Sequence, residues 1–228
     1  MRLSTNHILI FLISIILMLL LSCSTGYNKY ADQYYDEGLI FYERMEYDRS
    51  ILSFTKVLEL APYGKENHKV YYNRGIAYFK NRQYDKSIYD FTKALEITPE
   101  KDKKMKIIIL EYRGNAFQKN KELDNAIKDY SDAIQLIPKY KNIQYIYHNR
   151  AWAWFNKGNY DMAYEDFSKA LSIDSKYDAS YYGRAVVWFK KADFQRALID
   201  AKEAVKLNSA DKEYNNLLYE IKSSLNKK

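Results

Sequence analysis

The sequence predicts an all-α protein made of about five stacked helix pairs and one closing helix. Three observations carry this. Only seven glycines and three prolines punctuate 228 residues, too few for the frequent tight turns of a sandwich or barrel. One residue pattern returns five times along the chain. The chain also holds 24 tyrosines and 10 phenylalanines, an aromatic surface that must serve helix packing or a binding face.

The first element precedes the helices. Arg2 lies in a short polar start, and Ile8 to Leu21 form a 14-residue apolar stretch broken only by Ser14. That length suits the core of an export signal better than a bilayer span of about 20 residues. It ends in Leu20-Leu21-Ser22-Cys23, which resembles the lipobox of bacterial lipoproteins: an aliphatic residue three before the cysteine, a small residue just before it, then the acylated thiol. The resemblance implies a signal over residues 1–22, a mature N-terminus at Cys23 carrying lipid, and a short tether over 23–30. Two or more acyl chains give stable anchoring, since each buried methylene contributes about 0.8 kcal/mol. An uncleaved anchor, or an ordinary cleaved signal with an incidental cysteine, remains the alternative. Cys23 is the only cysteine, so no internal disulfide exists, and a lone thiol in an oxidising compartment makes sense when lipid caps it.

The repeats follow. Tyr71 to Tyr78 and Tyr147 to Trp154 show the core of the pattern; Leu110 to Phe117 and Tyr181 to Trp188 fit the same frame, and Tyr34 to Phe41 fits loosely. A small residue falls at Gly38, Gly75, Gly114, Ala151 and Ala185, spaced by 37, 39, 37 and 34. A second small residue occupies Ser50, Ser87, Ala126, Ala163 and Ala197, with an aromatic four later at Phe54, Phe91, Tyr130 and Phe167, but Ala201 in repeat five. A third recurs at Ala94, Ala133, Ala170 and Ala204, with Val57 in repeat one. Pro62, Pro99 and Pro138 then end a helix, replaced later by Ser175 and Ser209. Small residues let two helices approach, the rings fill the space beside them, and proline cannot continue the second helix.

This frame resembles the tetratricopeptide repeat over Ala31 to Ser209. The resemblance implies a right-handed αα-solenoid with repeats at 31–67, 68–106, 107–143, 144–177 and 178–209. The extra residues in the first three linkers, around Gly64 to Asn67 and Lys101 to Lys104, predict longer turns or an added helical turn. Tyr47-Asp48, Tyr84-Asp85, Leu123-Asp124 and Tyr160-Asp161 should open each second helix, with the carboxylate capping free amides. Arg74, Arg113, Arg150 and Arg184 each stand 16 residues before Asp90, Asp129, Asp166 and Asp200; repeat one has Glu37 and Ser53 instead. Paired appearance and paired loss predict a bridge between the two helices of a repeat, not catalysis. Residues 210–228 close the array: Tyr214, Leu217, Leu218, Ile221 and Leu225 lie at helical spacing, as a capping helix requires, before a basic tail.

Stacked pairs of this kind present their first helices on a concave face. Counting the small residue as position eight, the face takes positions 2, 5, 6, 9, 12 and 13. Its candidates for a peptide-binding groove are Tyr35, Tyr42, Tyr72, Asn73, Phe79, Tyr112, Asn115, Tyr145, His148, Asn149, Trp152, Phe155, Tyr182 and Phe189. Some of these rings are expected to pack between repeats instead. Asn73 and Asn149 sit where the central asparagine of a carboxylate clamp stands in some chaperone-binding relatives. The clamp's basic partners are missing, since Ile108, Tyr112, Ala179 and Gly183 occupy their places, so that clamp is not expected.

Other functions fare worse. The net charge of +7 is spread over 36 basic and 29 acidic residues, a mildly basic surface rather than a nucleic-acid stripe. The three histidines, His7, His68 and His148, share no metal-ligand spacing, and no phosphate loop or nucleophile elbow is present. We expect no catalysis, cofactor, metal or nucleic acid. The expected partner is a protein or peptide, the membrane is expected to be reached through lipid on Cys23, and the expected location is the cell envelope. A structural subunit of an envelope assembly machine, or a binder of cell wall or surface ligands, would use the same features.

Overall fold

The computed structural model describes residues 29–226. The signal segment, Cys23 and most of the tether therefore lie outside the described residues. Eleven helices and no strand occur among the described residues: α1 (Lys29–Glu43), α2 (Tyr47–Leu60), α3 (Asn67–Lys80), α4 (Tyr84–Ile97), α5 (Lys103–Lys119), α6 (Leu123–Leu136), α7 (Ile143–Asn156), α8 (Tyr160–Ile173), α9 (Asp178–Lys190), α10 (Phe194–Leu207) and α11 (Lys212–Asn226). They form two compact units, one ending at Thr98 and one beginning at Pro99. The first contains the pairs α1/α2 and α3/α4. The second contains α5/α6, α7/α8 and α9/α10, closed by α11. Each odd helix from α1 to α9 packs on the even helix that follows it.

Why the pairs close is visible at the small positions. A Cβ on Gly38 would lie 2.7 Å from the Phe54 ring, on Gly75 2.9 Å from Phe91, and on Gly114 2.7 Å from Tyr130. Each second helix thus drives a fully buried ring into a slot that only glycine leaves open. Repeat four has Ala151 there, which shares a core with Phe167, and that ring also lies against Gly183 of the next repeat. The second small position adds a bond where it is serine: Ser50 Oγ donates to the Gly38 carbonyl and Ser87 Oγ to that of Gly75, both at 2.8 Å.

The arginine–aspartate bridges form in all four repeats. Arg74 meets Asp90 through two bonds, Nε to Oδ2 at 2.7 Å and Nη2 to Oδ1 at 2.8 Å, and Arg113–Asp129, Arg150–Asp166 and Arg184–Asp200 repeat the fork. The aspartates are almost wholly buried, with side-chain exposures of 1–6%. Burial outweighs the arginine's attraction at Asp90, Asp129 and Asp166, leaving those carboxyls above their ordinary value. The arginines also tie repeats together, because Nη1 donates to a hydroxyl on the preceding second helix: Arg74 to Thr55, Arg150 to Ser131, Arg184 to Ser168.

The turn inside each pair is the same five times. The residues Met45, Arg82, Lys121, Gly158 and Ala192 all have φ between 58° and 83°. The amide after each reaches back five residues, as from Glu46 to Phe41 and from Asp193 to Trp188. This is a Schellman ending, which calls for the left-handed region at its hinge. Only repeat four supplies glycine there.

One sequence expectation is corrected at this turn. The second helices do begin at Tyr47, Tyr84, Leu123 and Tyr160, but Asp48, Asp124 and Asp161 do not cap them. The capping position is one residue before the helix, where Asn159 accepts the Met162 amide and Asp193 that of Arg196. The aspartates stand two residues past that position, and they reach the turn of the following repeat. Asp48 accepts from Asn81, Asp124 pairs with Lys157, and Asp161 pairs with Lys191. The longer linkers take both predicted forms: residues 61–66 make a turn, while α5 gains a turn of helix and has 17 residues.

The closing helix α11 buries Tyr214, Leu217 and Ile221. Leu217 and Ile221 share a core with Ala185, Ala197 and Ala201. Ala201 stands where the other repeats have a ring, and α11 supplies the missing apolar volume.

Candidate peptide-binding face

The fourteen face residues lie on the first helices of the pairs, thirteen of them half-buried and Tyr145 exposed at 41%. Four of them are taken up at the turns. Tyr42, Phe79, Phe155 and Phe189 rest on the ring that opens the next helix, namely Tyr47, Tyr84, Tyr160 and Phe194, with centroids 5.3–5.8 Å apart. That contact holds helix ends together.

In the first unit, Tyr35 lies edge-on to Phe54 at 5.7 Å and Tyr72 tilts against Phe91 at 6.0 Å. The Asn73 amide donates to Tyr35 Oη at 2.8 Å. Burial raises the Tyr35 phenol above its usual value, so it stays a neutral hydroxyl at physiological pH.

The second unit brings more together. Trp152 lies at the centre, 5.4 Å from both Phe155 and Phe167 and 6.3 Å from Tyr182. Tyr182 in turn stacks on Tyr214 at 4.8 Å and 25°. His148 packs against Tyr177 at 4.9 Å and Phe167 at 5.4 Å. Its Nδ1 is 2.9 Å from Ser180 Oγ, and its Nε2 accepts from Trp152 Nε1 at 3.2 Å. An imidazole that accepts at Nε2 carries its proton on Nδ1. Burial lowers its pKa to about 4 against the pull of Asp178, so His148 is neutral and rigidly placed. Tyr145 crosses Tyr177 edge-on at 5.1 Å. Asn115 Oδ1 accepts from Tyr130 Oη at 2.6 Å, which leaves its amide group as a donor. Tyr112 is half-buried on α5.

Three residues of this face lie outside the sequence-based set. Tyr177 precedes α9 and therefore falls outside a helix-position count. Tyr214 reads as core of the closing helix, and its ring nonetheless floors the patch beside Tyr182. The third is Glu111, which approaches Asn149 Nδ2 at 3.5 Å, the outer limit for a hydrogen bond. Burial alone raises the Glu111 carboxyl to about 7. Its signal is present in the sequence: position five holds Tyr35, Tyr72, Glu111, His148 and Tyr182, so one carboxylate interrupts a column of rings. Chemically, the face offers flat aromatic surface, amide groups and one carboxylate, the equipment of a binding surface.

Comparison with known proteins agrees with this architecture. Tetratricopeptide-repeat family models match residues 68–101, 113–140 and 145–177. A search of curated proteins gives no match. Among solved structures, a tetratricopeptide repeat protein from Parabacteroides merdae aligns at TM-score 0.74 and 16% identity, covering 88% of this chain and 75% of that one. YrrB, described as a repeat protein with an unusual peptide-binding site, aligns at 0.65 and 19%, covering 83% and 90%. The first repeat domain of Spaghetti (RPAP3), bound to the HSP90 peptide SRMEEVD, aligns at 0.50 and 25%, covering 53% and 93%. Repeat frame, helix-pair packing and these matches together make the chain a tetratricopeptide-repeat protein, a fold suited to acting as a protein-interaction scaffold.

Proposed function

We propose that the chain is a lipid-anchored adaptor of the bacterial cell envelope, held by acylated Cys23 and gripping a protein or peptide partner on the first-helix face of its second unit. The observation that carries the binding half is the convergence of Tyr145, His148, Trp152, Tyr177 and Tyr182 on one partly open aromatic patch. Its members are fixed by mutual contact, which lowers the entropy lost on binding. A similar repeat domain holding the peptide SRMEEVD supports a peptide-sized occupant. The anchoring half rests on the apolar stretch Ile8 to Leu21 and the Ser22-Cys23 junction. Among the described residues no helix is long and apolar enough to cross a membrane.

Metabolic labelling with radioactive palmitate tests the anchor. Label should enter the wild-type chain and be lost from Cys23→Ser; equal labelling of both would remove lipidation from the account. Capture from intact cells tests the face. A partner recovered with the wild type should be lost with Tyr145→Ser combined with Asn149→Ala, while retention would move binding elsewhere.

A further inference from the structure

We infer that the face of the second unit takes a basic segment of its partner, with a lysine or arginine side chain set against Glu111 and the neighbouring rings. This rests on the peptide-binding reading and specifies its chemistry.

The argument begins with charge. The chain carries +7 overall, yet at positions two, five, six and nine of α5, α7 and α9 the one formal charge is Glu111, and the lysines of the face, Lys119 and Lys190, stand at position thirteen, eight residues or about two helical turns beyond position five. Its contact with Asn149 is a long one, and among the described residues the arginines of the same helices pair elsewhere, Arg113 with Asp129, Arg150 with Asp166 and Arg184 with Asp200, so none of these three neutralises it. The histidine of the same column is no substitute, because its Nε2 already accepts from Trp152. The charged side chains that act most on Tyr177, Tyr182, Tyr214 and His148 are the acidic Glu111, Asp178, Asp211, Glu213 and Glu220. A half-buried carboxylate without a cation is unfavourable until something pairs with it. Aromatic faces beside it add attraction for a cation. Such a surface repels an acidic peptide of the SRMEEVD kind and favours its charge opposite.

The test uses a one-bead library of random heptapeptides, N-acetylated and attached through the C-terminus, so that neither terminus contributes charge. Fluorescent full-length chain in mild detergent is the probe protein. We expect the retained sequences to be enriched in lysine or arginine. A resynthesised basic peptide should bind Glu111→Gln at least 10-fold more weakly than wild type, and replacing its lysine by norleucine should give the same loss on wild type and little further loss on Glu111→Gln. Glu96→Gln, on an exposed site of α4, should bind as wild type does. The norleucine arm needs no altered protein, so a folding defect in Glu111→Gln cannot hide the answer. Retained peptides without basic bias, or basic peptides whose affinity Glu111→Gln and norleucine leave within 2-fold, would overturn this inference while leaving peptide binding intact. A library from which wild type retains nothing would overturn both.

Discussion

Glu111 and His148 shift in opposite directions on one face, and this has a measurable consequence for stability against pH. Glu111 titrates at about 7 in the folded chain against an ordinary 4.5. Between those values the unfolded chain has lost the proton that the folded chain keeps, so stability falls as pH rises through this window. The shift of about 2.5 units corresponds to about 3 kcal/mol. His148 titrates at about 4 against 6.5. Between those values the unfolded chain holds a proton that the folded chain refuses, so stability falls as pH drops, again by about 3 kcal/mol. From pH 4.5 to 6.5 the two slopes cancel. Removing either group unmasks the other: Glu111→Gln should gain stability over wild type progressively from pH 4.5 to 7, and His148→Gln should lose it relative to wild type from pH 4 to 6.5. Urea unfolding followed by tryptophan fluorescence reads the second unit alone, because Trp152, Trp154 and Trp188 all lie in it. With an m-value of about 2 kcal/mol/M, the Glu111→Gln midpoint should separate from wild type by about 1.5 M across the window. Parallel curves for Glu111→Gln and wild type would refute the burial argument.

Three further outcomes follow from the packing. Gly75→Ala, whose Cβ would sit 2.9 Å from the Phe91 ring, should destabilise the first unit by about 1–3 kcal/mol, measured by urea unfolding followed by circular dichroism. Asp166→Ala should cost about 3–5 kcal/mol by stranding Arg150, whereas replacing Arg150 by Met and Asp166 by Leu together should cost clearly less; equal losses would mean that the bridge is not the cause. Ala192→Gly should stabilise the second unit by about 1 kcal/mol, because φ is 58° there and glycine relieves the strain; a loss of stability would show that the turn tolerates alanine freely.

Much of this molecule is legible in its sequence because a repeat states each contact several times. The spacing of Arg74 and Asp90, seen once, means little; seen four times and absent jointly from repeat one, it specifies an inter-helix bridge. The small residues at Gly38, Gly75 and Gly114 announce the close approach of a ring in the same way. What escapes is what the frame does not repeat or places across repeats. The carboxylates of Asp48, Asp124 and Asp161 read as local caps, since sequence shows the helix start but not the next repeat's turn beside it. The left-handed hinge is filled by Met, Arg, Lys, Gly and Ala, so no residue type marks it. Ala201 reads as a departure from the pattern, and only the packing of Leu217 and Ile221 shows what fills its place. Of the candidate face, the aromatic column was readable from the eighth-position frame. The turn-bound roles of Tyr42, Phe79, Phe155 and Phe189 were not, because a ring that holds two helix ends and a ring that meets a partner occupy the same helical face.

The central claim, that partners bind the first-helix face of the second unit, is tested most directly by placing a benzophenone amino acid at single positions and irradiating intact cells. Tyr145 lies on that face and is exposed, while Tyr219 is exposed on α11 and Tyr89 on α4 of the first unit, neither of them on a first helix of the second unit. The account predicts a discrete crosslinked species from position 145 and none from 219 or 89. Crosslinks from 219 or 89, with position 145 silent, would contradict it.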